Sequence, residues 1–319
     1  MEQAFEKLLS RALRARVSDI HFVFEEEELT ICMRSISGII RLKSQPDDIR
    51  LFNYLMYRAH LDLTSPLPQS GCFSYYYRGS FYDFRMAVIL DARNRDGVLR
   101  ILNFHNGLKP EQLTCQPDIL RRMDEMLRRR SGLVLFTGLT GSGKTTTMYS
   151  LLRSVKGRSI YSLEDPVEVH QKNIVQIEMN FNAGMNYESA IRQILRHNPD
   201  IIMIGEIRDE NSARMAVRAA LTGTLVLSSL HSRSAQSAIR RLTDLGVRAD
   251  DLADILAGVF NQRLCRKADE NGYIGIYEFI SNSEVRQVLS GGILNDQLAD
   301  NVAQAQVQGL ISRQETLYG

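Results

Sequence analysis

An apolar run, a glycine-rich loop and a helix-like segment follow one another directly over residues 133–152. The loop reads Gly138-Leu139-Thr140-Gly141-Ser142-Gly143-Lys144-Thr145, the G-x-x-x-x-G-K-[ST] pattern in the strand–loop–helix setting it requires. Glycines admit left-handed backbone and close approach, so N–H groups curl around an anion where a Cβ would block it. In such a loop the lysine reaches the β- and γ-phosphates, the Thr145 hydroxyl ligates Mg²⁺, and the helix N-terminus favours the negative charge. The candidate nucleotide contacts are therefore Gly138, Leu139, Thr140, Gly141, Ser142, Gly143, Lys144, Thr145 and Thr146, with ATP and Mg²⁺ as expected cofactors.

Short apolar runs at 133–136, 159–163, 201–204 and 225–229 alternate with helical patterns at 145–152, 187–196 and 212–221. Strand and helix in alternation predict an α/β core whose mostly parallel sheet is covered on both faces. Ligands bind beyond the carboxyl ends of strands in such sheets. Past the first run lies the phosphate loop, past the second Glu164-Asp165-Pro166-Val167-Glu168, past the third Gly205-Glu206-Ile207-Arg208-Asp209, and past the fourth Leu230-His231. Hydrolysis of a nucleoside triphosphate needs a held Mg²⁺, an oriented water and cations against the phosphate charge. Glu206 is the candidate for polarising the water and for the metal; Asp200 begins the same strand at its other end. Glu164 is the second acidic candidate for Mg²⁺ or its waters. His231 is a candidate for sensing or stabilising the γ-phosphate. Arg192, Arg196 and Arg208 surround the third strand, and Arg85 and Arg100 come from the preceding region.

That region, 1–105, opens with an amphipathic helix over 1–17. Strands are expected at 20–24, 29–33, 38–42, 73–77, 80–90 and 97–102, with a helix at 49–60 and a solvated turn at Glu25 to Glu28. It reads as a small α+β domain, followed by a turn-rich linker at 106–113, the nucleotide-binding domain at 114–281 and a small helical lobe at 282–319. The helix over 119–130 carries Arg121, Arg122 and Arg128 to Arg130, but Asp124 and Glu125 are interspersed, so a solvated face is expected. A net charge of +2 and no basic stripe interleaved with aromatics argue against direct nucleic-acid binding. Cys32, Cys72, Cys115 and Cys265 form no C-x-x-C pair, which suits a reducing cytosol. No apolar run approaches 18 residues and the first 15 are charged and amphipathic, so a cytoplasmic chain without a leader is expected.

Four boxes in order resemble the secretion-ATPase superfamily of type II secretion, type IV pilus assembly and competence pseudopilus assembly. They are the phosphate loop, Leu163-Glu164-Asp165-Pro166-Val167-Glu168, the segment Arg196 to Asp209, and the segment Leu221 to His231. Ser18-Asp19-Ile20-His21 and Gln262-Arg263-Leu264 also resemble family signatures, and Arg85 and Arg100 match two arginines of the family's N-terminal domain that reach the nucleotide. The resemblance implies a RecA-like core behind a PAS-like N-terminal domain. It further implies a homohexameric ring and a push on a polytopic membrane platform protein at the inner face of the cell membrane. The family's four-cysteine zinc module is absent, since Cys265-Arg266-Lys267-Ala268 runs almost directly to Gly272, so no zinc is expected. This short form most resembles the competence ATPases that assemble a DNA-uptake pseudopilus. A retraction motor and a nucleotide-binding scaffold with little turnover are the alternatives. Thr224 stands where the family usually has His, Asn198 where Asp is usual, and Cys72 where Arg is usual.

Overall fold

The computed structural model describes residues 1–15, 17–25, 28–35, 38–90, 95–102, 107–179, 185–269 and 272–312. Glu26 and Glu27 of the expected acidic turn, Asn106 of the linker and residues 313–319 of the expected lobe lie outside the described residues. The chain forms two compact units, Met1–Asn106 and Gly107–Gly319.

The first unit runs α1 (Glu2–Arg14), β1 (Asp19–Glu25), β2 (Glu28–Ser35), β3 (Gly38–Arg41), α2 (Asp48–Arg58), β4 (Gln69–Tyr77), β5 (Ser80–Leu90) and β6 (Arg95–Ile101). The strands form one antiparallel sheet in the order β3-β2-β1-β6-β5-β4. Side chains alternate across a strand, so Ile20 and Phe22, Phe84 and Met86, and Leu99 and Ile101 all reach one core. Phe5, Leu8 and Leu9 of α1 and Leu51, Phe52 and Leu55 of α2 complete it. The intervening positions fall on the other face, and there Arg85 is paired with Arg100, which is paired in turn with Asp19. Arg100 Nε donates to Asp19 Oδ1 at 2.6 Å.

The second unit runs α3 (Pro117–Leu127), β7 (Gly132–Thr137), α4 (Lys144–Ser154), β8 (Ile160–Glu164), β9 (Val175–Glu178), α5 (Tyr187–Arg196), β10 (Ile201–Ile204), α6 (Glu210–Leu221), β11 (Leu225–Leu230), α7 (Ala235–Asp244), α8 (Ala249–Ile255), β12 (Leu256–Arg266), β13 (Tyr273–Ser281), α9 (Asn282–Leu289) and α10 (Gln297–Val307). Its seven-stranded sheet has the order β13-β12-β7-β11-β10-β8-β9 and is parallel except for β13. Every residue of β7, β10 and β11 is buried, as expected of central strands covered on both faces. Val285 and Val288 of α9 join the main core, whereas α10 packs with Leu298, Val302 and Ala305 on a small satellite core around Cys265 and Ile276.

Candidate active site

β7, β11, β10 and β8 are parallel neighbours, so their carboxyl ends lie along one edge of the second unit. The phosphate loop leaves β7 and enters α4 through Gly143, which is left-handed at φ +89° and caps the helix. A Cβ on Gly143 would lie 2.9 Å from Gln262 Nε2, and one on Gly138 (φ +141°) 2.4 Å from the Gln262 carbonyl oxygen. Glycine is therefore required at both ends of the loop, where the backbone lies directly against β12. Leu139, Thr140 and Gly141 are exposed, Thr145 and Thr146 half-buried, and Ser142 is buried with its hydroxyl unpartnered.

Lys144 is 7% exposed. Its ammonium donates to the carbonyls of Gly138 at 2.9 Å and Leu139 at 3.0 Å, and lies 3.4 Å from His231 Nδ1. Burial pushes its pKa down to about 8, with the charge of Glu206 opposing the shift. His231 Nε2 lies 3.2 Å from Glu206 Oε1, and Arg208 Nε donates to Glu206 Oε2 at 2.8 Å. Arg208 also lies 3.6 Å from Asp165. Burial first, and the Lys144 charge second, hold the His231 imidazolium below its usual range. The imidazole is then neutral at pH 7. Its ring stands between the Lys144 ammonium on the Nδ1 side and the Glu206 carboxylate on the Nε2 side. Lys144, His231, Glu206, Arg208 and Asp165 thus form one continuous chain of contacts across four strand ends.

Local structure places each member. The backbone N–H of Gly205 donates to the Leu163 carbonyl at 2.8 Å, and the Ser229 hydroxyl donates to the Gly205 carbonyl at 2.7 Å, which pins the start of the Glu206 segment between β8 and β11. Ile207 N–H donates to the Ser229 carbonyl at 2.8 Å. Asp209 then accepts from Ser212 N–H at 2.7 Å and caps α6.

The remaining predicted residues of the second unit lie away from this chain of contacts. Glu164 is 4% exposed, at the end of β8. One of its oxygens accepts from Ser162 at 2.5 Å and from Gln176 at 3.0 Å, and the other from the Tyr149 hydroxyl. It forms a separate buried cluster, and it pushes the Tyr149 phenol further up after burial has raised it. Arg192 is exposed on α5 and paired with Glu188 at 2.9 Å; Arg196, also exposed there, donates to Gln193. Arg85 and Arg100 share a face of the first unit's sheet.

Two departures from the family pattern fall away from this edge. Thr224 precedes β11 and His231 follows it, which separates them by about 20 Å along an extended strand. Asn198 precedes β10 with a left-handed φ of +49°, a conformation asparagine tolerates. It lines a cavity of about 850 Å³ at the amino ends of the strands, with Arg129, Lys156 and Arg158.

Sequence reasoning gave no role to five residues that bear on the loop or its flanks, Thr147, Asn261, Gln262, Tyr277 and Glu278. The Thr147 hydroxyl donates to Gln262 Oε1 at 2.9 Å and lies 2.8 Å from the Tyr277 hydroxyl. Asn261 Nδ2 donates to the Arg233 carbonyl at 3.1 Å and lies 3.3 Å from the buried Glu278 carboxylate. The only sequence signal was the Gln262-Arg263-Leu264 signature.

A parallel sheet that opens into this loop, with a buried lysine and a carboxylate two strands over, defines a P-loop nucleoside triphosphatase core. The model of the family "Type II/IV secretion system protein" matches residues 1–312, and the chain belongs to that family. It is similar to the competence protein ComGA of Bacillus subtilis (strain 168), 33% identical over 286 residues that cover 87% of this chain and 80% of the relative. It is 38% identical over 266 residues to the type II secretion system protein E of Pseudomonas aeruginosa, covering 81% of this chain and 53% of that relative. The chain thus spans about half the length of the secretion relative. Among solved structures, the pilus retraction motor PilT with bound ADP aligns at a TM-score of 0.73 and 25% identity, over 98% of this chain and 95% of that one.

Proposed function

We propose that the chain is a Mg²⁺-dependent ATPase that drives assembly of a competence pseudopilus, or a type II secretion-like filament, in DNA uptake. The chain of contacts from Lys144 through His231 to Glu206 and Arg208 carries this reading. It places a buried cation, a neutral imidazole and a carboxylate level with one another at the phosphate loop.

The residues fit a nucleoside triphosphate with Mg²⁺. The loop is a backbone cradle that a Cβ at Gly138 or Gly143 would fill, and among the described residues no carboxylate is in direct contact with the buried Lys144 ammonium. ATP with Mg²⁺ supplies, when bound, the phosphoric anhydride that water cleaves. Lys144 and the loop N–H groups would hold its phosphates, and the Thr145 hydroxyl would hold the metal. Glu206 orients water because His231 and Arg208 fix its carboxylate from two sides. Glu164 has the weaker case: it is buried, and Ser162, Gln176 and Tyr149 take three of its roughly four acceptor positions, which leaves one for the metal's waters. Arg85, Arg100, Arg192 and Arg196 would offset phosphate charge, as the family arginines do.

The working form on this reading is a homohexamer in the cytoplasm, set against the inner face of the membrane by a polytopic platform protein. Among the described residues no helix is long and apolar enough to cross a membrane. Pilus retraction is the second reading, favoured by the likeness to PilT over nearly the whole chain.

Light scattering with and without Mg²⁺ and a non-hydrolysable ATP analogue, alongside phosphate release, tests the proposal. A hexamer with steady hydrolysis is the expected result. A monomer that binds nucleotide without turnover, even with the cell's own membranes added, would overturn it in favour of a scaffold.

A further inference from the structure

β12 and β13 close one side of the large sheet, and adjacent residues on them reach both flanks of the phosphate loop. On one flank, Gln262 and Tyr277 hold the Thr147 hydroxyl in the first turn of α4. On the other, Asn261 and Glu278 hold the segment that follows His231: Asn261 binds the Arg233 carbonyl, and Glu278 Oε1 accepts from Ala235 N–H at 2.8 Å. Each of the two β13 residues also has a second attachment. Glu278 Oε2 accepts from Leu298 N–H at 3.1 Å, and the Tyr277 carbonyl accepts from Asn301 Nδ2 at 2.8 Å. Both attachments lead to α10.

We infer that Glu278 is a positioning residue for the nucleotide site, tying the N-terminus of α10 to the segment after His231. Its two oxygens are rigidly spaced, so the N-termini of α7 and α10 meet at one buried carboxylate and are held at a set distance. Both helix ends carry partial positive charge, and the carboxylate, 3% exposed, is compensated by these two N–H donors together with Asn261 Nδ2 at 3.3 Å. α10 rests on a small satellite core, and elements with few buried apolar contacts open at lower free energy than the sheet they pack on. A displacement of α10 therefore reaches His231 through Glu278 and the phosphate-loop helix through Tyr277.

This rests on the phosphate loop being the nucleotide site, so the wild-type full-length protein is first titrated with a fluorescent ATP analogue and Mg²⁺. Two variants follow, Glu278→Gln and Asn301→Ala. The glutamine offers one oxygen and one NH₂, so it can accept from Ala235 or from Leu298 but not from both. Glu278→Gln is expected to lower kcat about tenfold with the analogue's Kd nearly unchanged, a loss within reach of a sub-ångström displacement in a site. Amide exchange at residues 231–235 should quicken with it. Asn301→Ala, which leaves Glu278 in place, should give a smaller change of the same kind. Wild-type kcat and wild-type exchange at 231–235, with only a lowered Tm, would make Glu278 purely structural and overturn the inference. Should Glu278→Gln not fold, Asn301→Ala decides on the same criteria. Absence of nucleotide binding by the wild type would remove the functional reading and this inference with it, whereas binding with unmoved variants removes the inference alone.

Discussion

Raising the pH from 7.5 to 9.5 perturbs Lys144 before any other group of the site. Its ammonium titrates at about 8 because burial disfavours the charge more than Glu206 restores it. Phosphates placed at the loop would bring that pKa back toward the ordinary value of about 10.4. The free protein then loses its Lys144 proton above pH 8 while the nucleotide-bound protein keeps it, so binding takes up a proton in this window. At pH 9 only about one-tenth of the free protein is charged, so Kd should rise about tenfold over its low-pH value, equivalent to roughly 1.4 kcal/mol. The window lies above the phosphate ionisation near 6, so the nucleotide's own charge is constant within it. His231, held below its usual range, is already neutral there and contributes nothing. Fluorescence anisotropy of a labelled ATP analogue with Mg²⁺ at half-unit steps reads the slope. Lys144→Arg is the control: its guanidinium stays charged, so its Kd should be flat whatever its absolute value. A flat wild-type Kd from pH 7.5 to 9.5 would refute the argument that burial of Lys144 sets its charge.

Glu206→Gln should keep nucleotide affinity and lower turnover by about 10²–10⁴, the range for losing a positioned general base; phosphate release near the wild-type rate would remove Glu206 from its role. Arg85→Ala and Arg100→Ala should each slow hydrolysis while circular dichroism stays unchanged, and unchanged activity in both would remove the first unit from the nucleotide site. Tyr149→Phe should destabilise the protein by about 1–3 kcal/mol, because the buried Glu164 carboxylate loses a donor it cannot replace with water. A melting temperature equal to that of the wild type would show that Ser162 and Gln176 suffice.

Periodicity and the loop pattern made much of the fold legible. β7, β8, β10 and β11 are short, largely apolar runs, and α4, α5 and α6 follow the helical period, so each was expected close to where it stands. The strands of the first unit were legible for a related reason: one covered face makes their side chains alternate. β9, β12 and β13 were not read, nor were α7 and α8. β9 is a largely exposed four-residue edge, and β12 mixes Asn261, Gln262, Arg263 and Arg266 into one strand, of which Gln262 and Asn261 reach the loop and its flanks.

The sequence by itself determined which chemical groups lie beyond each strand, because a parallel strand delivers whatever follows it to the same edge of the sheet. That sufficed to name Lys144, Glu206, Arg208 and His231 together. Only the tertiary structure decided how they meet: that His231 stands between Lys144 and Glu206, that Glu164 turns inward onto Tyr149 and Ser162, and that Arg192 and Arg196 remain on the surface of α5. Only the fold, too, brings Gln262 and Tyr277 to Thr147, and Glu278 to Ala235 and Leu298. Those partners are separated by 20 to 130 residues along the chain, and no local period or propensity encodes a contact made by closing the sheet.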